Sequence, residues 1–202
     1  MLFNSLITIF IIIILISIFF NSKKSINENF TDDNIIQNGN FEYGKMTKNH
    51  FGSFVGNSIV KMANPGESTY VLRQTSTGKK NIDTNYQINL DILPLTHYKL
   101  GCWVAYTDNW DGNRDIFNLK FYLNSGDNKI MVGEGESIKS VMVGNLYWNY
   151  QLYKFTSPID SNNKLEINLG FKPKNSIGYR YITDIELKKI ILYYQNYQLM
   201  MV

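Results

Sequence analysis

Four stretches of this chain place apolar side chains at every second residue, a spacing that suits extended backbone and little else. Tyr86, Ile88, Leu90 and Ile92 alternate with Gln87, Asn89 and Asp91. Tyr98, Leu100, Cys102, Val104 and Tyr106 alternate with Lys99, Gly101, Trp103 and Ala105. Phe117, Leu119, Phe121 and Leu123 alternate with Asn118, Lys120 and Tyr122, and Leu165, Ile167, Leu169 and Phe171 alternate with Glu166, Asn168 and Gly170. Successive side chains of a strand point to opposite faces, so each stretch reads as a strand with one buried and one more polar face. Turn signals fall between them: Asn64-Pro65-Gly66, Asp111-Gly112-Asn113, Ser125-Gly126-Asp127 and Ser161-Asn162-Asn163. Many short strands without helical periodicity among them predict an all-β fold, an antiparallel β-sandwich or jelly roll.

The chain opens differently. From Leu2 to Phe20 there is no charged side chain, and Ile11 to Ile14 is an unbroken isoleucine run. About 19 apolar residues suffice to cross a bilayer core as a helix, whose backbone polar groups are satisfied internally. A cleaved signal has a basic start, an apolar region of about 7–15 residues and small residues at the cut. Here the run is longer, and Phe19, Phe20 and Asn21 are poor cleavage neighbours. We therefore expect one retained N-terminal transmembrane helix over residues 1–21 and a polar juxtamembrane tether over 22–33. The sandwich then occupies 34–190, and 191–202 is a C-terminal tail. The protein is expected in a cell-surface or virion membrane as a single-pass protein. Lys23 and Lys24 follow the run and no Lys or Arg precedes it, which by the positive-inside rule puts the domain in the cytosol. With so few charges the rule leaves orientation open. The glycosylation pattern Asn29-Phe30-Thr31 lies so close to the membrane that it reads as chance.

Charge and composition exclude several functions. The 20 Lys and Arg against 17 Asp and Glu give a net charge of +3, scattered rather than striped, so no nucleic-acid partner is expected. Cys102 is the single cysteine, which rules out an intrachain disulfide and suits a small buried hydrophobe. His50 and His97 are the only histidines and stand far apart, with no nucleophile motif nearby, so no enzymatic activity is expected. Nothing singles out a carboxylate pair for glycoside hydrolysis. The run Asp108-Asn109-Trp110-Asp111-Gly112-Asn113 lacks the alternating acids and distal Glu of an EF-hand loop and reads as a turn.

The order of local motifs is more telling. Asn34-Ile35-Ile36-Gln37-Asn38-Gly39-Asn40-Phe41-Glu42 resembles the "N-L-I-x-N-G-x-F-E" opening of carbohydrate-binding modules with the galactose-binding-domain-like jelly roll. Further matches follow in order: Pro65 to Leu72, Gln87-Ile88 with Leu93-Pro94-Leu95-Thr96-His97-Tyr98, Trp148 with Phe155-Thr156-Ser157-Pro158, and Ile182 to Leu187. The resemblance covers nearly all of Asn34 to Leu187. There are two departures: Leu95 replaces the family's glycine after proline, harmless if the turn needs no positive φ, and Thr183 replaces the first acid of the closing "D-D" pair.

The resemblance implies a non-catalytic carbohydrate-binding protein. It also implies one structural calcium ion where the first strand meets the last, with Glu42 and Asp184 at the two acidic positions. The alternative is that both are surface acids in turn hydrogen bonds. Carbohydrate would be gripped by the face opposite the apolar stripes, where period two puts Trp103, Gln87, Tyr122 and Arg73. An aromatic platform flanked by amide and guanidinium donors stacks on sugar CH faces and directs hydrogen bonds to hydroxyls. The competing reading buries Trp103 in a second layer. Trp148 is expected in the core, while Trp110 is either an exposed contact or a loop anchor. The alternative function is a structural or adhesion protein whose jelly roll contacts a protein partner.

Overall fold

The computed structural model describes residues 26–30, 34–43, 50–52, 57–75, 86–110, 117–133, 135–169 and 178–194. The expected transmembrane helix over 1–21 lies outside them. All regular structure among the described residues is β: β1 (Ile26–Phe30), β2 (His50–Gly52), β3 (Asn57–Lys61), β4 (Tyr70–Thr75), β5 (Tyr86–Asp91) and β6 (His97–Tyr106). They are followed by β7 (Phe117–Leu123), β8 (Asn128–Gly133), β9 (Glu136–Val143), β10 (Leu146–Thr156), β11 (Ser161–Asn168) and β12 (Tyr179–Tyr194). The chain divides into two compact units, one of which is Phe30–Ile190. Part of the expected tether, Ile26–Phe30, is strand β1, which pairs with β12.

Two antiparallel sheets make the jelly-roll sandwich. The larger follows the order β3-β4-β12-β6-β10-β9, and the smaller β2-β5-β11-β7-β8. The apolar stripes read from the sequence meet between them. Ile88, Leu119, Phe121 and Ile167 of the smaller sheet pack with Leu72, Leu100, Cys102, Val104 and Leu187 of the larger, all fully buried. Burying each such side chain contributes about 1.5–3 kcal/mol, which is what holds the layers together. Cys102 sits mid-core, and burial pushes its thiol up to about 12.

The central strand β6 departs from simple alternation. Gly101 through Ala105 are buried on both faces. The inner face meets the other sheet. The outer face is covered by the sheet's own side chains: Trp103, Ala105, Val71 and Trp148 form a second cluster, flanked by Val60, Val141, Tyr150 and Tyr181. A strand buried on both sides reads as a continuous apolar run, and Cys102-Trp103-Val104-Ala105-Tyr106 is such a run.

The turn before β6 does not meet the condition under which Leu95 would be harmless. Leu95 stands at φ +50, so the turn does need the left-handed conformation for which the family's glycine is suited. Holding a leucine there costs about 1–2 kcal/mol, and its side chain is exposed, so little burial offsets the strain. Leu95→Gly should therefore stabilise the protein by about 0.5–1 kcal/mol after the added chain entropy of glycine is allowed for. A denaturation midpoint that falls instead would show that the leucine makes contacts that matter.

Candidate functional site

The outer face of the smaller sheet carries polar side chains over β5, β7 and β11, with the exposed Ile130 and Val132 of β8 at its edge opposite Lys120 and Asn118. Register brings them into rows. Glu166 of β11 lies between Asn89 of β5 and Lys120 of β7, and Asn168 lies between Gln87 and Asn118. Glu166 is buried beneath its neighbours, with both oxygens engaged. Gln87 Nε2 donates to Oε1 at 3.0 Å, and the Tyr122 hydroxyl donates to Oε2 at 2.8 Å. Lys120 Nζ stands 3.8 Å from Oε2 and 4.7 Å from the centre of the Tyr122 ring. The hydrogen bond to Tyr122 raises the Lys120 pKa most, with the Glu166 charge adding to it. One carboxylate of β11 thus fixes an amide, a phenol and an ammonium from the two flanking strands, with the exposed amides of Asn89 and Asn118 beside them.

Of the four residues expected to line one binding face, the structure brings together Gln87 and Tyr122 only. Trp103 is on the other sheet, 7% exposed, edge-on to Tyr150 at 5.3 Å between ring centres. Period two correctly set Trp103 against the stripe of Leu100, Cys102 and Val104. The groove of Trp103, Gln87 and Tyr122 is nevertheless absent, because outward on β6 and outward on β5 are opposite sides of the sandwich. Arg73 is also on the larger sheet, with Nε donating to Ser58 Oγ at 3.2 Å and its guanidinium carbon 5.4 Å from the Tyr179 ring centre. Trp148 is fully buried, as expected, but in the same cluster as Trp103. Trp103→Ala should therefore destabilise the fold by about 3–5 kcal/mol, like Trp148→Ala, in denaturant unfolding. A stable Trp103→Ala protein would show that the outer cluster contributes little.

Glu166 and Lys120 were not singled out from the sequence. Their signal was weak: Glu166 is one of two acids, with Asp91, at polar positions of the alternating strands.

A second feature lies where the opening loop meets β12. Gly39 approaches that strand so closely that a Cβ would fall 1.9 Å from the Ile185 carbonyl oxygen, and the Ile185 N–H donates to the Gly39 carbonyl at 2.9 Å. Only glycine fits, which explains the Asn38-Gly39 pair of the opening motif. The register of β12 against β6 shifts between Thr183 and Glu186, with Asp184 at φ +49, and this bulge turns Asp184 out of the ladder. Asp184 and Glu42 both line a depression of about 460 Å³, with Asn38, Glu67, Tyr150 and Glu186. Asp184 Oδ2 accepts from the Glu67 N–H at 3.1 Å, while Oδ1 is buried with no hydrogen-bond partner. Thr183, the departure from the closing acid pair, is buried and donates to the Tyr70 carbonyl at 3.2 Å.

Burial raises the Asp184 pKa, and the Glu67 N–H only partly opposes it. The folded state thus holds this proton more tightly than the unfolded chain, so the contribution is favourable at low pH and is lost as pH rises through the raised pKa. A cation beside Oδ1 would offset that cost. Among the described residues no three Asp, Glu, His or Cys side chains form a metal-ligating group. Two carboxylates suit calcium if main-chain carbonyls complete the shell. Nearby Glu186 has a lowered pKa: burial acts upward, but hydrogen bonds from Lys188 and Tyr150 and the charges of Lys188 and Lys99 outweigh it.

No family model and no curated protein matches the chain. Solved structures do match. The enzymatically active domain of bacteriophage CBA120 tailspike protein 4 superposes with TM-score 0.55 at 16% identity, over 77% of this chain and 21% of that one. The second family 16 carbohydrate-binding module gives 0.50 at 20% identity, over 76% and 99%. The fold is that of carbohydrate-binding modules. The xylan-binding CBM22-1 domain from Paenibacillus barcinonensis gives 0.52 at 10% identity, over 74% of this chain and 90% of that domain. The chain thus spans nearly the whole of these two modules but about a fifth of the tailspike's enzymatically active domain.

Proposed function

We propose that this chain is a membrane-anchored protein whose sandwich binds carbohydrate without transforming it, at the outer face of the smaller sheet. The observation that carries the reading is the Glu166 hub, which holds Gln87 and the half-buried Tyr122 ring in place on a polar sheet face. Amides and an ammonium would meet sugar hydroxyls, and the ring would meet a CH face. Both Glu166 oxygens are committed to neighbours and Cys102 is sealed in the core, which supports binding over catalysis. The uncharged run from Leu2 to Phe20 supports the anchor.

A glycan-array screen of the detergent-solubilised protein tests this. We expect a defined glycan to bind, and Tyr122→Ala to lose about 1–3 kcal/mol of that affinity, the scale of an aromatic anchor. An array without hits, or equal binding by Tyr122→Ala, would overturn the assignment of this face.

A structural calcium held by Glu42 and Asp184, completed by main-chain carbonyls, belongs to the same reading. Support comes from their shared depression and from the unbonded Asp184 Oδ1. Calcium binding only the native state would raise the melting temperature with concentration, and Asp184→Asn should abolish the rise. A melting curve indifferent to calcium and chelator removes the ion from the proposal.

The second reading, a jelly roll that contacts another protein, is favoured by β9. It ends the larger sheet, and Ile138 and Met142 are exposed on it beside Tyr147 of β10.

A further inference from the structure

Two turns at one end of the sandwich form a single rigid piece. Residues 93–96 join β5 to β6, and residues 157–160 join β10 to β11. Buried Ser157 ties them together: its N–H donates to the Thr96 carbonyl at 3.0 Å and its hydroxyl to the Leu93 carbonyl at 2.6 Å, while the Thr96 N–H donates to its Oγ at 2.9 Å. On this brace stand three bare apolar side chains: Leu93 at 54%, Leu95 at 61% and Ile159 at 71% exposure. Leu95 is held there at positive φ, where glycine would be free of strain. A strained backbone that presents an exposed leucine points to a use for that leucine outside the fold.

The same end carries an unusual row of charge. Lys154, Lys99 and Lys188 stand directly opposite one another across β10, β6 and β12, two residues inward from the start of β6 at His97. Like charges opposed across strands repel. Glu186 answers two of them, with Lys188 Nζ at 2.8 Å and Lys99 Nζ at 3.9 Å; Lys154 is exposed but makes a contact of its own, and Asp160, exposed beside Ile159, is the acid on the brace itself. The sandwich also receives its N-terminal side here: the Ile35 N–H donates to the Leu187 carbonyl at 2.9 Å, next to Lys188.

Apolar prongs beside a basic ridge match the interface of a bilayer that carries anionic headgroups, where side chains enter the acyl boundary and lysines meet lipid charge. We propose that this end of the sandwich, through Leu93, Leu95 and Ile159 with the row of Lys154, Lys99 and Lys188, docks on an anionic lipid surface. The proposal rests on the membrane-anchored reading only for the nearness of a bilayer. It fixes how the domain stands: the end with the 93–96 turn faces lipid, and the far end, with the β9–β10 turn, faces away.

The test uses the full chain reconstituted into vesicles of phosphatidylcholine alone or mixed with phosphatidylserine. Ile159→Cys, Leu95→Cys and, as the far-end control, Met142→Cys each carry an environment-sensitive probe; buried Cys102 stays unlabelled. We expect the probes at 159 and 95 to shift to the blue and to be quenched by spin-labelled lipid, more strongly with phosphatidylserine. The probe at 142 should do neither. Lys154→Gln combined with Lys188→Gln should remove the phosphatidylserine dependence. Alkaline carbonate extraction of the same vesicles reports on the anchor separately. Protein retained through carbonate with all three probes unquenched overturns the docking face and leaves the anchor standing. Protein stripped by carbonate after selective quenching at 159 and 95 supports the docking face and removes the anchor; stripped protein with no quenching overturns both.

Discussion

The last strand of the sandwich sits in the middle of its sheet, and the rest of the structure waits on it. β12 lies between β4 and β6, so the larger sheet is complete only when the C-terminal strand has inserted between two made earlier in the chain. The opening loop then locks onto the same strand. Asn34 accepts from the Leu187 N–H at 2.9 Å and donates to the Ile185 carbonyl at 3.1 Å, contacts that span more than 150 residues. Such pairings are reached only after long loops have closed, and this topology belongs among the slower folding ones.

Within the core, one cation shows how polar groups can strengthen such a closure. Arg180 is fully buried at the start of β12, with Nε donating to Gln74 Oε1 at 2.7 Å and Nη2 to the Leu169 carbonyl at 2.5 Å. Gln74 in turn donates to the Leu169 carbonyl and to Asn57 Oδ1. Arg180 therefore joins β12 and β4 to the chain leaving β11, across the two sheets. A buried charge left partly unsatisfied is expensive, so these elements are tied to one arrangement.

The sequence made the layers legible and their sides ambiguous. Alternation identified the inner stripes of β5, β6, β7 and β11 because one period reports one buried face. It could not say which strands share a sheet, since that is set by pairing between distant residues. Trp103, Gln87 and Tyr122 were all correctly placed off their stripes, yet they belong to opposite exteriors. The unbroken apolar run around Trp103 held the clue that its outer face was covered too. Leu95 was recognised as a departure, but its cost became visible only with its φ. Glu166 stayed hidden because its partners Gln87 and Tyr122 are 79 and 44 residues away, and no local pattern marks a carboxylate satisfied at that range.

The Glu166 hub has a consequence for how such a surface changes over time. Its oxygens are bound by side chains from the two strands flanking β11, so its geometry is part of the sheet register itself. A slip of one residue in β5, β7 or β11 would turn that strand's part of the set into the core and its apolar stripe out to solvent. The exposed rim is under less obligation: Asn89 and Asn118 stand in solvent and pack on no core side chain. Side chains at the rim are therefore free to drift while the hub, locked to the fold, stays where it is.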